Sequence, residues 1–146
     1  MANILICVDG SSGSDHAVEQ AIKYGLLKGN YVHLLRVVPE SKVIPGGAAG
    51  AEYINALVDY NVEQAKEMLE KYEERIKNKC LNYSTRYIIG DPAKEILHYE
   101  EDNEIDMIVI GSRGLGKFSR TVMGSVSTKV SNNCKCSIFV SKEPHE

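Results

Sequence analysis

Met107-Ile108-Val109-Ile110-Gly111-Ser112-Arg113-Gly114-Leu115-Gly116-Lys117-Phe118-Ser119-Arg120-Thr121-Val122-Met123-Gly124-Ser125 runs from an apolar stretch straight into a glycine-rich, basic, hydroxyl-bearing loop. A short apolar strand that ends in such a loop has the makings of a phosphate cradle. Glycine lets backbone N–H groups turn inward and approach an anion closely. A helix starting near the end of the loop adds its own unpaired N–H groups and the positive end of its dipole. Arg113, Lys117 and Arg120 supply cationic charge over the same stretch. The pattern predicts a nucleotide; the plainer alternative is a flexible turn whose three cations are solvated.

Working outward from this loop, strand-like and helix-like segments alternate. Asn3 to Val8 is a nearly continuous apolar run ending in Asp9-Gly10-Ser11-Ser12, which reads as a buried strand feeding a turn. Ser12 with Asp15 resembles a capping box, and Ala17, Val18, Ala21, Ile22 and Leu26 form an apolar helix face before Gly29. Tyr31 to Val38 is the second strand, closed by Pro39, and Ser41 to Gly50 reads as the most mobile loop. From Glu52 to Lys79 apolar residues recur at spacings of three and four, which predicts a long helix packed on a sheet. Tyr83 to Ile89 is the third strand, and Asp91 caps a helix with Pro92 at its first position. Asp106 to Ile110 is the fourth strand, Val126 and Val130 lie on the last helix, and Ser137 to Ser141 is the fifth strand. Five strands alternating with four helices predict an α/β fold with a doubly wound, open parallel sheet, because each parallel crossover needs a helix to return the chain.

At 146 residues the chain suits a single domain, 1–146, which buries roughly 70% of its unfolded surface. Hydrophobic residues make up 43% and charged residues 25%, an ordinary globular profile. A net charge of -3 argues against a nucleic-acid coat, which needs an excess of lysine and arginine to displace counterions. No signal-like start and no apolar run of membrane-spanning length is present, so a cytoplasmic protein without a membrane role is expected. Cys7, Cys80, Cys134 and Cys136 lack the spacing of zinc or redox motifs and read as reduced structural thiols. His16, His33, His98 and His145 form no ligand set.

Gly111, Gly116 and Lys117 also satisfy the opening of a Walker A loop, but the following position decides against it. It is Phe118, which offers no oxygen to Mg²⁺, and Ser119 comes one residue late. Two residues separate Gly111 from Gly114, and nine then separate Gly114 from Gly124-Ser125. This spacing resembles the nucleotide-binding signature of the universal stress protein family. Ile4-Leu5-Ile6-Cys7-Val8-Asp9-Gly10-Ser11, Leu34-Leu35-Arg36-Val37 and Gly90-Asp91-Pro92-Ala93 are similar to further family segments, in the family's order. The complete glycine signature matches the branch of the family that binds ATP.

The resemblance implies an adenine nucleotide alpha hydrolase-like sheet with strand order 3-2-1-4-5, a flavodoxin-like arrangement with helices on both faces. It assigns phosphate contacts to Gly111, Gly114, Gly124 and Ser125, with Asp9 facing the ribose and Val37 and Ile110 forming the adenine slot. A turn or cap role is the alternative for Asp9, and plain sheet core for Val37 and Ile110. The ligand implied is ATP, with or without Mg²⁺. No catalytic constellation is evident, so the leading expectation is a nucleotide-dependent sensor or regulatory module in stress response. The alternatives are a weak Mg²⁺-dependent ATPase or nucleotidyl-transfer enzyme using Asp9, and an interaction protein with an empty pocket. A homodimer through the fifth strand is expected, together with a protein partner whose identity stays open.

Overall fold

Asn3-Ile4-Leu5-Ile6-Cys7 lacks the alternation of a half-exposed strand, and it lies at the centre of a sheet covered on both faces. The computed structural model describes residues 1–43, 50–113 and 123–144. The elements are β1 (Asn3–Cys7), α1 (Ser12–Lys23), β2 (Tyr31–Pro39), α2 (Glu40–Val43), α3 (Ala51–Ile76), β3 (Asn82–Gly90), α4 (Pro92–Asp102), β4 (Met107–Gly111), α5 (Ser125–Asn133) and β5 (Ser137–Ser141). Every pairing is parallel, and the order is β3-β2-β1-β4-β5, as the resemblance implies. These are the first five strands of the doubly wound dinucleotide fold; flavodoxin itself, ordered 2-1-3-4-5, likewise reverses beside its first strand.

Alternation along the strands divides the core into two layers. Ile4, Ile6, Val32, Leu34 and Val109 face Ala17, Val18 and Ala21 of α1 and Leu69, Tyr72 and Ile76 of α3. Leu5, Leu35, Val37, Ile108 and Ile110 face Ala93, Ile96 and Tyr99 of α4 and Val130 of α5. Leu5, Ile6, Leu34, Leu35 and Ile108 are fully buried, and each such side chain contributes about 1.5–3 kcal/mol relative to exposure. Only the carboxyl-terminal half of α3 is buried in this way, at Ala65, Leu69, Tyr72 and Ile76; Tyr53 and Tyr60 of its first half are exposed.

Several boundaries differ from the sequence reading, each for a local reason. Ser11, not Ser12, caps α1: its hydroxyl accepts from the Ser14 N–H at 3.1 Å. Asp15 does not complete a capping box but accepts from the Tyr72 hydroxyl at 2.6 Å. The helix stops at Lys23, well before Gly29, because Gly25 turns the chain at φ 70. A fifth, short helix, α2, occupies the start of the expected loop at Ser41, and residues 44–49 of that loop lie outside the described residues. Asp106 precedes β4, and its carboxylate accepts from the Asn3 N–H at 2.7 Å. Asp91 does cap α4, accepting from the Lys94 N–H at 3.0 Å with Pro92 following.

The four cysteines are free thiols. Burial first, and then the Glu100 carboxylate, pushes the Cys136 thiol up to about 12, and burial also raises Cys7. Thiols held this far from the thiolate form are poor nucleophiles. Glu100 itself is buried and accepts the Lys135 and Cys136 N–H groups at 2.7 and 2.8 Å, which fixes the turn from α5 into β5.

His33 in β2 is buried as a neutral ring. Its Nδ1 lies 2.7 Å from the Tyr99 hydroxyl and its Nε2 lies 3.3 Å from Asn3 Oδ1, so Nε2 carries the proton and Nδ1 accepts. Burial lowers its pKa from 6.5. In the unfolded chain the same ring takes up a proton as pH falls through about 6.5, before the folded ring does, so stability falls with pH below that point. The urea midpoint is expected to drop between about pH 7.5 and about pH 5.5, and His33→Gln is expected to flatten that drop. An equal drop in the variant would place the acid sensitivity elsewhere.

Candidate functional site

The reversal of strand order beside β1 opens a crevice over the carboxyl ends of β1 and β4. On the β1 side, Gly10 turns the chain at φ 80, a conformation that side chains disfavour. Asp9 Oδ1 accepts from the Ser11 N–H at 2.9 Å and from the Ser11 hydroxyl at 2.5 Å, which clamps the carboxylate in a local turn. The Asp9 N–H donates to Ser14 Oγ at 3.2 Å, and Ser14 Oγ lies 3.0 Å from the Tyr72 hydroxyl. Because Tyr72 gives its proton to Asp15, Ser14 is the donor to Tyr72. Burial, and next the Asp15 carboxylate, push the Tyr72 phenol up and keep it in this donor state. Asp9 thus has a turn role and also lines the crevice, so the two readings of it are compatible.

On the β4 side, Gly111 ends the strand, and the Ser112 N–H donates to the Ser141 carbonyl at 2.8 Å. The Ser112 carbonyl then accepts from the Gly124 N–H and the Ser127 hydroxyl, both at 2.7 Å, and so anchors the start of α5. Gly124 is the amino-terminal cap and has no side chain to satisfy the first-turn N–H groups. Gly124, Ser125, Val126 and Ser127 of this helix start line the crevice, as does Arg113, so the positive end of the dipole faces it.

The two sides meet closely at backbone. A Cβ on Gly13 would lie 2.6 Å from the Arg113 carbonyl oxygen, and one on Gly111 would lie 2.9 Å from the Gly13 carbonyl oxygen. The first turn of α1 is thereby wedged against the exit of β4. Gly13 does not belong to the sequence-derived site, although a glycine at the second helical position, where it weakens a helix, is a visible signal.

Asp9, Val37, Ile110, Gly111, Gly124 and Ser125 all line one cleft of about 300 Å³. Gly114, Lys117 and Arg120 lie outside the described residues. Val37 and Ile110 are almost wholly buried and, with Leu35, Pro92 and Ile96, make an apolar slot large enough for a planar base. Ser14, Arg36, Lys42 and Ser127 also line the cleft and were not singled out from the sequence. Arg36 had a signal of its own, as a charge inside an apolar run. Among the described residues no group of three His, Cys, Asp or Glu is placed to hold a metal ion.

Fold and cleft together define a doubly wound α/β protein with a crevice at the switch point of its sheet. The family model described as "Universal stress protein family" matches residues 1–142, and the chain belongs to that family. The universal stress protein YxiE of Bacillus subtilis is 30% identical over 142 residues, covering 94% of this chain and 96% of the relative. The solved structure of MJ0577 of Methanocaldococcus jannaschii superposes with a TM-score of 0.87 at 25% identity, covering 99% of this chain and 98% of that one. An Arabidopsis thaliana family member solved with AMP bound shares the fold, with a TM-score of 0.72 at 18% identity, covering 99% and 93% of the two chains.

Proposed function

We propose that this protein binds an adenine nucleotide, ATP above all, and acts as a nucleotide-dependent sensor or regulatory module in stress response. One observation carries the reading: the apolar slot at Val37 and Ile110, the Asp9 carboxylate and the open amino terminus of α5 at Gly124 and Ser125 line a single cleft. Base, ribose and phosphates ask for those three surfaces in that sequence. The bound AMP of the Arabidopsis relative supports the ligand class. The clamped Asp9 carboxylate suits it as an acceptor for ribose hydroxyls. Protein purified without added nucleotide, then denatured, is expected to release adenine nucleotide resolvable by ion-exchange chromatography. If nothing is released, and ATP, ADP and AMP all fail to bind in calorimetric titration, the reading falls.

The same proposal places the protein in the cytoplasm as a homodimer through β5. Among the described residues this strand is a sheet edge that pairs with β4 alone. The Ser141 carbonyl points to β4, where it accepts from Ser112, so the N–H and C=O of Val140 point to the open edge. Pairing two copies of Ile138-Phe139-Val140 about a twofold axis would satisfy those groups. Val140→Pro deletes an outward donor and spares the β4 ladder, so it is expected to shift a dimeric wild type to monomer in sedimentation equilibrium. A wild type that is monomeric at micromolar concentration would rule this interface out.

A further inference from the structure

Arg36 puts a charge where β2 is otherwise apolar core. It stands between Leu35 and Val37, is only 9% exposed, and lines the cleft beside Asp9 and Ser14. Its Nη1 donates to the Val37 carbonyl at 3.1 Å, and among the described residues it forms no ion pair. A guanidinium has five N–H donors. Among the described residues only Val37 accepts from it, and none of its nitrogens is both sealed from water and unpartnered, so its remaining donors are available to an acceptor that enters the cleft. Asp9 lies near enough to favour the charged guanidinium, yet the two form no ion pair.

Strand register fixes where this charge lies. Cys7 pairs with Leu35, and Ile6 pairs with both Leu34 and Val109. Arg36 is therefore level with Gly111, one strand to the other side of β1, and two strand spacings put the backbones roughly 10 Å apart. The cleft has a cationic pole over each flank: Arg113 with the α5 amino terminus beyond β4, and Arg36 with Lys42 beyond β2. Asp9, at the end of β1, lies between them.

We propose that Arg36 forms a second anion subsite, which takes a phosphate ester on the 2′ or 3′ position of the ribose while the 5′ phosphates lie at α5. The inference rests on the nucleotide reading of the cleft. A 5′ polyphosphate leaves the ribose toward α5 and does not fill the pole over β2. A phosphate on the far side of the ribose does, and the guanidinium fork matches its oxygens in a bidentate way. Asp9 then accepts from whichever ribose hydroxyl remains free.

Calorimetric titration of the full-length protein with AMP, adenosine 2′,5′-bisphosphate and adenosine 3′,5′-bisphosphate tests this. At least one bisphosphate is expected to bind about tenfold or more tighter than AMP, as one charge-assisted phosphate contact implies. The preferred isomer identifies the ester position. In Arg36→Gln the ratio of bisphosphate to AMP affinity is expected to fall to about one, and in Arg36→Lys, which keeps the charge without the fork, to an intermediate value. A wild-type ratio near one overturns the subsite, as does a ratio preserved in Arg36→Gln. Binding of AMP with no bisphosphate advantage overturns the subsite alone, whereas failure of all three ligands overturns the nucleotide reading with it. Should Arg36→Gln fail to fold by circular dichroism, the wild-type ratio and Arg36→Lys still decide.

Discussion

Gly124→Val is expected to weaken ATP binding at least about a hundredfold while leaving the fold intact. The Gly124 backbone has φ -66, open to any residue, so the substitution brings no backbone strain. A Cβ there would meet Ser112 O at 3.4 Å and Arg113 Cα at 3.5 Å, which are ordinary contacts. The valine γ-methyl groups, however, must enter the cleft over the α5 amino terminus, where a phosphate would approach. Each charge-assisted hydrogen bond lost there is worth about 1.5–3 kcal/mol, and losing two accounts for the hundredfold. Calorimetric titration measures the effect, with circular dichroism as the check on folding. An unchanged affinity would remove the α5 amino terminus from the site. By resemblance Gly114→Val is expected to act in the same way.

Gly13→Ala is expected to do the opposite, damaging the fold first and the site through it. Alanine is normally the better helix residue by about 1 kcal/mol. Here its methyl would lie 2.6 Å from the Arg113 backbone oxygen, closer than real contacts allow. Neither backbone can easily step aside, because Gly111 already lies against the Gly13 carbonyl. Overpacking of this kind costs about 1–3 kcal/mol, so the clash outweighs the helix gain. A lower urea midpoint and weaker nucleotide binding are the expected result. A midpoint that rises instead would show that α1 and β4 can part freely, and that the junction does not hold the site.

These two glycines also mark how far the sequence could be read. Gly124 was legible because the loop's spacing is local: a strand, a run of glycines and a helix start follow one another along the chain. Gly13 was not, since its constraint comes from Arg113, a hundred residues away in sequence. Asp9 was legible as a residue but not in its manner of fixing, because Ser11 and Ser14 bond to it in ways that the pattern of types does not prescribe. The boundaries of α1 and the presence of α2 were misjudged where the cap and the turn depended on which serine faced the backbone and on where Gly25 adopted positive φ.

The sequence by itself determined the alternation of strands and helices and the two-sided burial of the sheet. It also pointed to Asp9, Val37, Ile110, Gly111, Gly124 and Ser125 of the cleft, because hydrophobic periodicity, caps and glycine spacing are short-range properties of the chain. Only the tertiary structure decided what those residues meet. Strand register brings Arg36 level with Gly111 across β1. Close backbone packing wedges Gly13 against Arg113. The position of β5 at an edge turns the Val140 backbone outward. Each is a long-range contact, set by how whole elements fit together, and although Gly13 and Arg36 are unusual where they stand, side-chain type along the chain does not name what they meet.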